Sequence, residues 1–241
     1  MTAPPLTALP RTHLAELAAS EAALTADLGG RDQAWAAAPS ALPGWTRSHV
    51  VGHLAGNARG LLNLARWAGS GVETPMYRSA EERSAEIDRR AALPWSALVA
   101  EARTSAAELA TALERLREPL GARTLRLGSG AEIGAWELAA IRIREIEIHR
   151  VDLGAEYRPV DWAPAFTART LDQVTPFFRS RREVPAQYLR CTDTGRCWVV
   201  GRSGPDVVGT EADLLGWLLG RAHPGVHTTD GSPLPAAPAW V

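Results

Sequence analysis

Four stretches in the first two-thirds of the chain repeat their apolar residues every three or four positions, and that rhythm leaves little choice of architecture. "HLAELAASEAALTADLGG" carries Leu14, Leu17, Leu24 and Leu28 on one stripe and stops at a glycine pair. "RSHVVGHLAGNARGLLNLARWA" opens behind Thr46, a good N-cap residue, and keeps Val50, Leu54, Leu61 and Leu64 in register. Pro94 suits the first turn of a third helix, striped by Trp95, Leu98, Ala102, Leu109, Leu113 and Leu116. A fourth is predicted over about residues 131–152, after the turn-like "LGSG", with Gly154 as its C-terminal cap. Ser79 and Glu82 in "SAEE", spaced as a capping box, predict a short additional helix. Long amphipathic helices joined by loops bury their stripes against one another, so an antiparallel four-helix bundle is expected over residues 1–157.

After "EYRPVDWAP" the texture changes. A helix is predicted over residues 164–183, and "QYLRCTDTGRCWVVG" reads as a hairpin turning at Asp193, Thr194 and Gly195. "DVV" is a candidate third strand, "TEADLLGWLLGR" a helix opening on Thr210, and "DGSPLPAAPAW" a proline-rich surface strap. The expected fold is therefore α plus α/β, with the bundle followed by a small α/β domain over residues 158–241.

Composition narrows function mainly by exclusion. With 46% apolar and 22% charged residues, the chain has the profile of a soluble globular protein. A formal net charge of −1 gives no field that would draw it to nucleic acid or an anionic membrane. No apolar run approaches the roughly 18 residues of a membrane span. The opening "MTAPPLTALP" lacks a basic segment followed by an apolar one, so a cytoplasmic protein is expected. Nothing fixes an oligomeric state, and a monomer suffices. There is no lysine, so all 26 basic residues are arginine, which excludes lysine Schiff bases, pyridoxal phosphate and a P-loop. Anionic ligands must then be held by guanidinium groups, which suit carboxylates. Cys191 and Cys197 are too few for a disulfide scaffold and read as small hydrophobes flanking a turn.

Within the bundle two helices offer polar groups to what should be hydrocarbon. In the second, His53 and Asn57 lie on or beside the inner stripe, one turn apart. In the last, Leu138, Ile141, Glu145, His149 and Asp152 advance by three or four residues and share a face. An unpartnered carboxylate in a protein interior costs several kcal/mol, and a divalent cation removes that cost by binding carboxylate and neutral imidazole together. Glu145 and His149, one turn apart, can reach one ion, with His53 as the third ligand from across the bundle. Three protein ligands mark a catalytic rather than a structural zinc site. Spacing alone leaves open the plainer alternative of a hydrogen-bonded interior histidine and a solvated Glu–His pair. His49 is open between a solvated and a supporting position, and His13, His223 and His227 read as surface.

"GWTRSHVVGHLAGNARGL", "ETPMYRSAEERSAEI" and "REIEIHRVDLGA" resemble, in that order, the mycothiol-dependent maleylpyruvate isomerases of the DinB-like superfamily. "GWLLGRAHPGV" and the ending "DGSPLPAAPAWV" continue the resemblance, which covers nearly the whole chain and is weakest over residues 155–205. It implies zinc ligands at His53, Glu145 and His149, and functional arginines at Arg83 and Arg221. Arg144 matches as well, as a supporting or surface residue beside Glu145.

The resemblance also implies the reaction. Maleylpyruvate has a cis double bond conjugated to a carbonyl, with carboxylates at its ends. Zinc-activated thiolate addition, rotation and thiolate elimination would give fumarylpyruvate, a step of gentisate-type aromatic degradation. Mycothiol would supply the sulfur, and Arg83 and Arg221 would hold the carboxylates and stabilise the enolate charge. The alternatives on the same scaffold are a mycothiol S-transferase that conjugates electrophiles, a non-haem iron enzyme with the same two-His, one-carboxylate donors, and a metal- or thiol-binding module without catalysis.

Overall fold

The computed structural model of the protein describes residues 10–116, 124–180 and 186–237. The chain divides into two compact units, Met1–Ala155 and Glu156–Val241. Within the first, the helices are α1 (Arg11–Leu28), α2 (Gln33–Ala37), α3 (Arg47–Ser70), α4 (Ala80–Ala91), α5 (Trp95–Arg115) and α6 (Leu138–Asp152). α3 packs against α5 and α6, and α1 against α6 and α5, which closes a four-helix bundle. Leu17, Leu24, Val50, Leu54, Leu61, Leu64, Leu98, Leu109, Leu138 and Ile143 fill its core.

Local chemistry sets the helix ends. Thr46 caps α3, its hydroxyl accepting the His49 N–H at 3.4 Å. The His49 ring closes the box by accepting the Thr46 N–H on Nδ1 at 3.2 Å, the part a glutamate usually plays. Asp32 caps α2 through Oδ1, which accepts the Trp35 N–H at 2.8 Å. Ser79 caps α4, but Glu82 turns to Arg78 (2.9 Å) instead of returning to the cap, so only half of the expected box forms. Gly154, with φ of 64°, follows α6 in the left-handed conformation that ends helices.

Two differences from the sequence reading stand out in this unit. α6 begins at Leu138 rather than near 131, because the preceding residues form strands β1 (Thr124–Arg126) and β2 (Glu132–Gly134). These pair antiparallel around "LGSG", with Leu125 opposite Ile133, both buried, and a 3-10 turn over Ala135–Glu137 leads into the helix. Three-residue strands are too short for alternation to show in sequence. The second difference is that α3 and α6 are buried nearly all round, not along one stripe.

That enclosure depends on a row of glycines spaced four apart on α3. A methyl group on Gly52 would lie 3.1 Å from the Arg90 Cβ and 3.3 Å from the Ile87 carbonyl oxygen, both on α4. On Gly56 it would lie 3.1 Å from the Arg90 guanidinium, and on Gly60 2.8 Å from Met76. α4 and the segment before it thus rest on the bare backbone of α3, for which the helix gives up about 1 kcal/mol of propensity per glycine. Arg90, buried beneath, donates to Glu86 (2.9 Å) and to Glu101 of α5 (2.8 Å). On the other side of the bundle the fully buried Arg142 of α6 donates to Glu21 of α1 (2.8 Å), and to the Leu54 carbonyl (2.8 Å) and Asn57 Oδ1 (3.0 Å) of α3.

The second unit follows the expected order. α7 (Pro164–Ser180) precedes β3 (Tyr188–Cys191), β4 (Cys197–Val199), β5 (Val207–Gly209), α8 (Glu211–Leu218) and β6 (His227–Thr228). The sheet order is β4-β3-β5-β6, with β3 and β5 parallel and the other pairs antiparallel. Leu189 pairs with both Trp198 and Val207. Thr210 caps α8, and Arg196 ties the hairpin to Asp172 on α7 (2.6 Å) and to Glu211 on α8 (3.4 Å). Trp217 donates to the Pro235 carbonyl at 2.9 Å, which holds the proline-rich strap on α8. The two-residue β6 had no sequence signal. Residues 1–9, 181–183 and 238–241, on which the reading of the N-terminus, the end of the 164–183 helix and the end of the strap partly rested, lie outside the described residues.

The glycine row is testable. Gly52→Val should lower the unfolding free energy by about 2 kcal/mol in chemical denaturation, by pressing on the α4 backbone. Gly69→Ala, on the same helix but facing only the Leu116 side chain at 3.7 Å, should be neutral or stabilise by up to about 1 kcal/mol.

Candidate metal centre

His53 projects from α3, and Glu145 and His149 project one turn apart from α6. Among the described residues these three form the one group of His, Cys, Asp and Glu able to hold a metal ion, each offering a donor atom within 4.8 Å of the others. His53 Nε2 is 3.0 Å from Glu145 Oε2, and His149 Nε2 is 3.8 Å from the same oxygen. The two imidazoles meet edge to face, with ring centroids 4.5 Å apart. Their side chains are 5% (His53), 25% (Glu145) and 15% (His149) exposed, so the cluster is enclosed on the α3 side and reachable past Glu145.

Burial sets the protonation of the cluster. It pushes His53 down to about 4, with the nearby His149 and Arg83 adding to the effect and Glu145 opposing it. Burial alone would raise the Glu145 carboxyl, but the hydrogen bond and charge of His53, with His149 and Arg144, hold it well below the usual carboxylate range. At neutral pH the cluster therefore presents a neutral imidazole and an ionised carboxylate, the forms that bind a divalent cation.

The outer partners of the two histidines differ. His149 Nδ1 lies 2.7 Å from Oδ2 of Asp152, which is 1% exposed. That carboxylate keeps the proton on Nδ1 and leaves Nε2 as a lone pair facing the cluster, the arrangement of a histidine ready to bind metal. His53 Nδ1 lies 3.1 Å from Arg83 Nη2 on α4, and a guanidinium can only donate. Nδ1 therefore accepts, and Nε2–H donates to Glu145. With Nε2 instead used as a ligand atom, the proton resides on Nδ1, which then no longer accepts from Arg83. The donor set fits a zinc-like cation, which His53, Glu145 and His149 would hold.

The other residues singled out in the sequence have partners of their own. The Asn57 side-chain oxygen is occupied by Arg142 inside the bundle, which makes it a packing partner of that arginine. Arg144 is half-buried beside Glu145, and burial pushes its guanidinium down while the charges of Glu145 and Glu137 oppose this. Arg221 belongs to the second unit, where its Nη1 donates to the Leu219 carbonyl and its backbone N–H to that of Gly216 (2.8 Å). His49 serves as a helix cap, with its ring 6.2 Å from that of Trp45. Asp152 was already in the three-and-four series of α6, but its role as the partner of His149 emerges only from the side-chain geometry. Tyr77 was not singled out, although the cation of Arg83 lies 5.7 Å from its ring.

A family model described as the mycothiol maleylpyruvate isomerase N-terminal domain matches residues 14–154. Two crystal structures resemble the whole chain, one described as the mycothiol-dependent maleylpyruvate isomerase and the other as a histidine-to-alanine mutant of it. Each is 30% identical in sequence, with a TM-score of 0.90 over 96% of this chain and 98% of the other. No curated protein matches the chain by sequence.

The depressed His53 predicts an acid limb in stability. Between its ordinary value of 6.5 and about 4, the unfolded chain binds a proton that the folded chain refuses. Stability of the metal-free protein is thus full above that window and falls by up to about 3 kcal/mol as pH drops through it. His53→Gln, which keeps a donor for Glu145 but does not titrate, should flatten this limb in denaturation curves collected across the window.

Proposed function

Because the chain belongs to the mycothiol maleylpyruvate isomerase family, an enzyme family, we propose that it converts maleylpyruvate to fumarylpyruvate with mycothiol as thiol cosubstrate. The observation that carries this reading is the convergence of His53, Glu145 and His149 inside a fold matched over 96% of its length.

Neither of the chain's two cysteines belongs to the metal-binding trio. Cys191 is buried and its thiol is pushed up to about 12, mainly by burial, while Cys197 lies exposed on β4. The proposed nucleophile is an external thiol, mycothiol, in keeping with the family. A zinc ion held by His53, Glu145 and His149 would supply one thing, the ionisation of the mycothiol thiol near neutral pH. Addition of that sulfur to the carbon–carbon double bond leaves a single bond and moves the π electrons onto the conjugated carbonyl oxygen. The single bond turns, and expulsion of sulfur restores the double bond in the trans form, with no net change in protons or electrons.

The protein's residues then have distinct tasks. Asp152 fixes the tautomer and angle of His149. Glu145 provides the anionic donor, and Arg144 helps to keep it ionised. Arg83, released from Nδ1 once His53 carries its proton there, turns its guanidinium to a substrate carboxylate and to the enolate charge. Arg221 keeps its proposed part in holding the substrate.

The deciding assay follows fumarylpyruvate formation from maleylpyruvate with and without mycothiol. Strict thiol dependence is expected. Accumulation of an S-conjugate without fumarylpyruvate would sink the isomerase reading in favour of a transferase, and stoichiometric iron with oxygen uptake would sink both. His53→Ala should lose bound zinc and turnover while its helical circular dichroism is unchanged; full turnover without zinc would refute the mechanism. Asp152→Asn, which cannot hold the His149 proton as a carboxylate does, should weaken zinc about 10–100-fold in a chelator competition.

A further inference from the structure

Tyr77 sits in the irregular segment between α3 and α4, and its ring occupies a slot that two glycines make possible. On one edge, a methyl group on Gly60 would come within 3.1 Å of Cε1. On the other, a methyl group on Gly128, in the β1–β2 turn, would come within 2.9 Å of Cδ2 and 3.2 Å of Cε2. Gly128 does not have a positive φ, so backbone conformation does not explain its lack of a side chain. Space for this ring does. Gly60 is a mid-helix glycine with the same neighbour. Two glycines 68 residues apart in sequence, Gly60 and Gly128, thus leave room for one phenol ring.

The slot sets that phenol beside Arg83, the neighbour of the metal centre. The charges of Arg83 and Glu145 both act on its hydroxyl. The Arg83 cation also lies 5.7 Å from the ring. Arg83 is the residue that touches His53, so Tyr77, Arg83 and the trio form one contiguous group. An arginine can only donate, so a guanidinium beside the hydroxyl can engage an oxygen lone pair but not the proton, which remains able to donate to an acceptor. Burial and the Glu145 charge push the phenol up against the pull of Arg83, which keeps that proton in place. A neutral O–H donor beside a guanidinium is suited to an oxygen on which negative charge appears and then disappears.

We propose that Tyr77 is a catalytic residue, its hydroxyl donating a hydrogen bond to the carbonyl oxygen that becomes the enolate when sulfur adds to the double bond. This rests on the isomerase reading. No proton is transferred: the O–H bond stays intact, the π electrons arrive on the oxygen as the carbon–sulfur bond forms, and they return to carbon as that bond breaks. The interaction is stronger in the intermediate than with the neutral carbonyl, so its loss falls on kcat rather than on KM.

Tyr77→Phe keeps the ring, its slot and its contact with Arg83, and removes only the hydroxyl. In zinc-loaded protein with mycothiol, kcat should fall about 100-fold while KM changes less than about threefold, with zinc stoichiometry and helical content as in the wild type. A second readout needs no turnover. The saturated analogue of maleylpyruvate has the same carbonyl and end carboxylates but no double bond, and in calorimetry it should bind the Phe variant about twofold more weakly, in line with the small change in KM. A Phe variant equal to wild type in kcat and in analogue binding overturns the role of the hydroxyl and leaves the isomerase reading standing. Loss of zinc from the Phe variant also overturns it, by assigning the hydroxyl to assembly of the metal site. Wild-type protein that neither isomerises maleylpyruvate nor binds the analogue removes the functional reading first, and Tyr77 with it.

Discussion

An ionised carboxylate sits among the packed helices of this protein, and much of the first unit is arranged around it. Glu145 is kept charged against its burial by the hydrogen bond of His53 and by the nearby His149 and Arg144. Each of these is held in turn, His149 by Asp152 and His53 by Arg83. Removing water from so many polar groups is unfavourable unless every one finds a partner, and a partly satisfied network is worse than an apolar core. The network pairs Glu145 with His53 and His149 with Asp152 and turns the Nε2 of His149 toward the carboxylate at 3.8 Å, a donor set that would suit a cation.

Backbone approach makes that network geometrically possible. With Gly52, Gly56 and Gly60 on one face of α3, the α4 segment lies directly against the helix, and a residue of α4 can reach the imidazole of one on α3. Alanine at these positions would raise helix propensity, yet would press on Arg90, Ile87 or Met76. The opposite side of the bundle is fixed differently. There a buried Arg142 joins α1, α3 and α6 through Glu21, Leu54 and Asn57, which sets the register of the helices that carry the trio. A buried ion pair of this kind is a weak source of net stability, but removing either partner is costly, so it favours one packing over its neighbours.

These same features explain what could be read from the sequence. Helical periods of three and four residues survive in any window of two turns, so the bundle, the caps of α3 at Thr46 and of α8 at Thr210, and the shared face of Glu145, His149 and Asp152 were all visible. The hairpin at Asp193 to Gly195 was visible because turn residues lie between two apolar runs. β1, β2 and β6 were not, since two or three residues carry no period. Asn57 was placed beside the inner stripe correctly, but its partner Arg142 looked like one charge among many on a helix rich in arginine. Tyr77 had no local signal, because its position depends on Gly60 and Gly128, which are far apart in sequence and close only in the fold. The four-residue glycine spacing in "GHLAGNARG" was the one available hint that something packs on that face.

The donor set itself bears on the source of the sulfur. A site with four protein ligands, some of them cysteine thiolates, would be closed and would serve structure. This one offers two imidazoles and one carboxylate, and the side chains of Glu145 and His149 remain 25% and 15% exposed on its reachable side. The chain's two thiols both lie in the second unit's hairpin, on β3 and β4. The chain has no lysine to form a covalent adduct, and among the described residues the trio contains no thiol and offers only nitrogen and oxygen donors. The mycothiol dependence of the family agrees with a donor set that brings no sulfur of its own.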